Sequence, residues 1–69
     1  MSVAKIIELV GQSEEGWDHA VKNAVAKAGQ TVEDITGVEV LNQTARVDNG
    51  EITQYKVNVK LLFGVRDDT

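Results

Sequence analysis

The stretch TGVEVLNQTARVDNGEITQYKVNVKLLFGV, residues 36–65, decides the fold. Its pivot is Asn49-Gly50, the dipeptide favoured in a type I′ hairpin turn because both central positions need positive φ. Beyond the pivot, Tyr55, Val57, Val59, Leu61, Phe63 and Val65 fall at every second position, with Gln54, Lys56, Asn58 and Lys60 between them. Side chains along a strand alternate between faces, so one face is apolar and the other largely polar. Two long antiparallel strands result, with residues equidistant from the turn facing each other. Glu39 should oppose Lys60, Val40 should oppose Val59, Gly37 should oppose Leu62 and Gln43 should oppose Lys56.

Upstream of the hairpin, Lys5 to Val10 reads as a short strand, and Gly11-Gln12 as a turn. Ser13 is suited to cap a helix, with Glu14 and Glu15 next to the positive end of its dipole. Trp17, Ala20, Val21, Ala24, Val25 and Ala28 follow helical spacing and make one narrow apolar stripe. Asp18, Lys22, Asn23 and Lys27 lie on the other side, with Asp18 placed to pair with Lys22. The small stripe lets the helix lie close to a sheet, and Gly29 should stop it. Thr31 to Ile35 connects it to the hairpin, with room for one more helical turn. Asp67, Asp68 and Thr69 read as a polar tail. The reading is a single domain, residues 1–69, of class α+β: a β-α-β-β protomer with a three-stranded antiparallel sheet packed on one helix.

A chain of 69 residues buries only about 60% of its unfolded surface and usually needs a disulfide, a metal or a partner to be stable. It has no Cys and a single His, His19. Disulfides and thiolate or His-rich zinc sites are excluded, which leaves self-assembly. A net charge of −4 and scattered Lys and Arg argue against a nucleic-acid partner. No apolar run is long enough for a membrane span or a signal peptide, so the expected setting is cytoplasmic and soluble.

Catalytic patterns are missing. No Ser-His-Asp arrangement, Gly-rich phosphate loop or metalloenzyme motif occurs, and the chain does not read as an enzyme. His19 reads as an ordinary surface or interface histidine, and Trp17 as a core or interface anchor. Glu14, Glu15 and Asp18 complement the helix dipole; alternatively, they supply part of a hard-cation site, such as calcium, completed by oxygens of a neighbouring subunit. Asp67 and Asp68 are a weaker version of that pattern. Lys56 and Lys60 are solvated strand residues, or anion-binding groups if their face lines an enclosed space.

Val-Gly-x-Ser-Glu-Glu-Gly-Trp-x-x-Ala from Val10, the Ala-rich helix, Val-Glu-Val from Val38 and the Tyr-containing last strand ending in Leu-Phe resemble the dodecin family. The likeness runs from about Lys5 to Val65. It implies a hollow homo-dodecamer of cubic symmetry that binds flavins (riboflavin, FMN or FAD) between subunits without catalysis, for storage or sequestration. The resemblance also implies a flavin-stacking Trp two residues before the Glu of Val-Glu-Val, where this chain has Gly37. It implies a flavin-bonding Gln directly after the Tyr, where this chain has Lys56. The expectation is therefore a dodecin-like binding or storage protein whose ligand is another small molecule or a metal ion. The alternatives are a flavin binder with an altered pocket and a purely structural assembly module.

Overall fold

A computed structural model describes residues 3–65. The elements run β1 (Val3–Ser13), α1 (Trp17–Ala28), β2 (Ile35–Asp48) and β3 (Glu51–Val65). They form one antiparallel sheet in the order β1-β3-β2, so β3 is paired on both sides. The helix covers one face of it. Its stripe buries Ala20, Ala24 and Ala28 against Val57, Val59 and Leu61, with Ile7, Leu9, Trp17, Val21, Val25 and Ile35 packed around them. The expected β-α-β-β protomer and its apolar faces are present. The tail from Asp67 lies outside the described residues.

β1 is longer than expected, because Gly11-Gln12 does not turn. Gly11 stays in the ladder opposite Val57 and Gln12 opposite Lys56. The glycine serves packing instead: a Cβ there would lie 2.2 Å from the Ala20 carbonyl oxygen, so the helix can approach β1 only where a side chain is absent. Ser13 is consequently not the helix cap. It ends β1 opposite Tyr55, and the helix begins four residues later behind Gly16, without a side-chain cap. Glu14 and Glu15 precede the helix, and Asp18 alone is acidic in its first turn. Arg46 pairs with Asp48 at 3.4 Å and His19 Nε2 meets Glu15 Oε2 at 3.1 Å, whereas among the described residues Asp18 and Lys22 form no ion pair.

At the other end Gly29 keeps right-handed helical angles (φ −64°, ψ −14°) and does not stop the helix by a left-handed turn. The chain tightens instead, through Gln30 N–H to Lys27 O and Thr31 N–H to Ala28 O. No further helical turn follows; Asp34 (φ 61°) then redirects the backbone into β2.

Asn49 (φ 52°) and Gly50 (φ 78°) make the expected turn. Gly37↔Leu62, Glu39↔Lys60 and Val40↔Val59 pair as expected, but the register slips between Val40 and Asn42. Leu41 is an extra residue there, a β-bulge that reverses which face the following side chains use. Lys56 therefore opposes Thr44 and not Gln43. Two further irregularities occur, one between Ile35 and Gly37 and one between Arg46 and Val47 that restores the spacing before the turn.

Candidate functional site

The sheet face away from the helix carries cross-strand rows whose members point the same way. From β1 through β3 to β2 they read Ile6–Leu62–Gly37, Glu8–Lys60–Glu39, Val10–Asn58–Asn42 and Gln12–Lys56–Thr44. The face is thus apolar at one end and polar over the rest. The apolar end holds a shallow cleft of about 230 Å³ lined by Ile6, Gly37, Val38, Glu39, Lys60 and Leu62. A Cβ on Gly37 would meet Leu62 at 3.7 Å, an ordinary contact, so the cleft has room for a side chain that the sequence does not supply. Lys56 lies six residues along β3 from Leu62, about 20 Å away. One protomer does not bring Gly37 and Lys56 together.

No aromatic ring stands on this face. The chain has one Trp, one Tyr and one Phe, and all three belong to the helix side. Trp17 meets Tyr55 edge to face with centroids 4.8 Å apart. Its Nε1–H donates to the Thr44 carbonyl at 2.9 Å, tying the helix start to β2. Phe63 follows the buried Leu61 by two residues, on the same side of β3. A flavin ring would find no stacking partner on the open face of this protomer, and Lys56 offers a charge where the resemblance implies an amide. The residues present do not fit the standard flavin contacts.

The acidic residues at the helix start do not converge. Glu15 and Asp18 line a cleft with Gly16, Trp17, His19, Lys22 and Gln43, whereas Glu14 lines another with Arg46, Asp48, Thr53 and Gln54. Among the described residues no three His, Cys, Asp or Glu side chains are grouped to hold a metal ion. A cation site using Glu14, Glu15 or Asp18 would need oxygens from elsewhere.

A connection not foreseen from the sequence joins β1 to α1. Ser13 Oγ accepts the Glu15 N–H at 2.9 Å and bonds His19 Nδ1 at 2.8 Å. Asn23 donates to the Gln12 carbonyl at 2.9 Å, with a longer contact of 3.5 Å to His19 Nδ1. With donors facing Nδ1, the network places the imidazole proton on Nε2, which meets Glu15 Oε2 at 3.1 Å. The serine is buried, at 8% exposure, and its oxygen is already engaged. The trio fastens the connection and does not present a nucleophile. Six residues separate Ser13 from His19, so only the fold of the intervening loop brings them together.

No helix among the described residues is long and apolar enough to cross a membrane. The family model described as Dodecin matches residues 3–66. A relative named calcium dodecin, from Mycobacterium tuberculosis, is 33% identical over 66 residues, covering 96% of this chain and 93% of that protein. Its structure, described as calcium-chelating with a novel calcium-binding site, is similar at a TM-score of 0.79 and 32% identity, covering 97% and 96% of the two chains. A dodecin from Thermus thermophilus is 31% identical over 65 residues and covers 94% of each chain. The structure of dodecin from Streptomyces coelicolor aligns with a TM-score of 0.91 at 31% identity, covering 97% and 96%. With the family model spanning both edges of the sheet and the helix between them, this chain belongs to the dodecin family.

Proposed function

We propose that this chain is a non-catalytic, cytoplasmic, homo-dodecameric binding or storage protein. Its open sheet face receives a small molecule or ion other than a conventionally stacked flavin. The observation that carries this reading is the placement of all three aromatic side chains on the helix side, with Gly37 in the apolar cleft of the open face. An aromatic stack is worth on the order of 1–3 kcal/mol by analogy with base stacking, so its absence weakens flavin binding by about 5- to 150-fold. Protein purified from a flavin-rich host should be colourless, and a yellow preparation with a bound-flavin absorption band would overturn the reading. Restoring the two contacts is the converse test. Gly37→Trp with Lys56→Gln should raise riboflavin affinity by a similar factor in a fluorescence-quenching titration, whereas no gain would remove Gly37 and Lys56 from the ligand site.

A calcium reading is favoured by the relative named calcium dodecin and by Glu15 and Asp18 sharing one cleft. Partner oxygens would complete the six to eight ligands that calcium requires. An ion bound only by the folded state at a hundred times its Kd stabilises by about 2.7 kcal/mol. A chelator should then lower the thermal midpoint, and an unchanged midpoint counts against this reading.

A further inference from the structure

Two half-buried lysines stand on the open face in opposite surroundings. Lys60 lies between Glu8 on β1 and Glu39 on β2, directly opposite on both sides, so two carboxylates outweigh its charge. Lys56 lies between Gln12 and Thr44. The next row toward Lys60 is Val10–Asn58–Asn42, again without a carboxylate. Glu8 and Glu39 are two rows away, about 13 Å along the strand, beyond the screening length of about 8 Å at physiological salt. On the other side, Glu14 and Asp48 share a cleft with Arg46, and Arg46 pairs with Asp48 at 3.4 Å. Among the described residues neither lysine forms an ion pair, but only Lys60 has a carboxylate residue directly opposite on both neighbouring strands.

Neutral donors surround this charge. Gln12 and Gln54 are bonded side chain to side chain at 2.8 Å. Whichever way round the two amides are set, the pair keeps NH groups to offer outward. Thr44 adds a hydroxyl, and Asn42 and Asn58 add amides. A lone ammonium with several neutral donors suits an oxyanion with three peripheral oxygens better than a carboxylate, which is matched by the planar fork of arginine. On a chain of net charge −4, such a place is not a by-product of a basic surface.

We propose that Lys56, flanked by Gln12 and Thr44, is a phosphate-holding point, and that the ligand of the open face carries a phosphate group. The proposal rests on the open face being the ligand face. It specifies the chemistry of its polar end.

The full-length assembled protein is titrated calorimetrically, at low ionic strength, with inorganic phosphate and with phenyl phosphate. Saturable binding is expected, weakened at least about tenfold by Lys56→Gln, as for loss of a charge-assisted hydrogen bond. Lys60→Gln should leave it within about twofold, its charge being already offset by two carboxylates. Thr44→Val keeps the charge and removes one donor, and should weaken binding by several-fold. It serves as a second reading if Lys56→Gln alters the assembly mass. Equal affinity for the two probes assigns the site to the free oxyanion, and tighter phenyl phosphate assigns it to a phosphate ester; both support the proposal. Absence of saturable binding, or equal losses from Lys56→Gln and Lys60→Gln, overturns it. Riboflavin titration of the same samples keeps failure of the phosphate site distinct from failure of the wider reading.

Discussion

Gly11 is the residue on which the helix–sheet contact depends. Its missing Cβ is what lets the Ala20 carbonyl approach, and the nearest obstacle at 2.2 Å is backbone, which cannot swing aside. Gly11→Ala should therefore lower stability by about 1–3 kcal/mol, the range for forcing extra volume into a packed site, as read from the denaturant midpoint. Gly16→Ala is the comparison. Nothing lies within 4 Å of its added methyl and its backbone is extended (φ 164°), so its midpoint should stay close to wild type. The two lysines of the open face also differ residue by residue. Alternation along β3 places both there, but their charge environment depends on which residues β1 and β2 set beside them, and that is a property of the ladder.

The hairpin is the element that positions the candidate site, and two local devices shape it. The turn is set by residues in left-handed conformation, Asn49 and Gly50. Gly50→Val should cost on the order of 1–2 kcal/mol, the usual penalty for a side chain there, measured as a lower thermal midpoint. Asn49→Gly should be tolerated. The bulge at Leu41 is the second device. Continuing the alternation of Val38 and Val40 would have put Thr44 on the helix side; the extra residue turns it toward Lys56 and gives Ala45 the place opposite Tyr55. With a small Ala45 beside it, Tyr55 meets the Trp17 ring. The bulge thus serves the core and the open face together.

At the scale of the whole molecule, the protomer is poorly self-contained. Its radius of gyration is 14.5 Å and its extents are 57 × 20 × 13 Å, whereas a compact chain of this length has a radius near 11 Å. Beyond the last β1 pair, Ser13↔Tyr55, the hairpin runs on without a third strand, carrying Val47 and Ile52 at 60% and 47% exposure. Ile6, Val10, Val38, Val40, Leu41 and Leu62 add further exposed apolar surface. Among the described residues the fully buried large side chains are only Leu61, Val57 and Val59. A core this small favours stabilisation by association, so the thermal midpoint should rise with protein concentration and the mass in solution should be that of an oligomer. A monomer at micromolar concentration with a concentration-independent midpoint would refute the assembly.

The sequence by itself determined the order of elements, the stripe from Trp17 to Ala28, the Asn49-Gly50 turn, the apolar face of β3 and the placing of Lys56 and Lys60 on its other face. Each rests on periodicity or turn preference within a few residues, which act before distant segments meet. Tertiary structure decided the length of β1, the release of Ser13 from the helix cap, the separation of Glu14 from Glu15 and Asp18, and the bulge at Leu41. These depend on how closely a helix can approach a twisted sheet and on which strand pairs with which. The polar surroundings of Lys56 belong to the second group, because Gln12 and Thr44 reach it from opposite edges of β3 only once both ladders have formed.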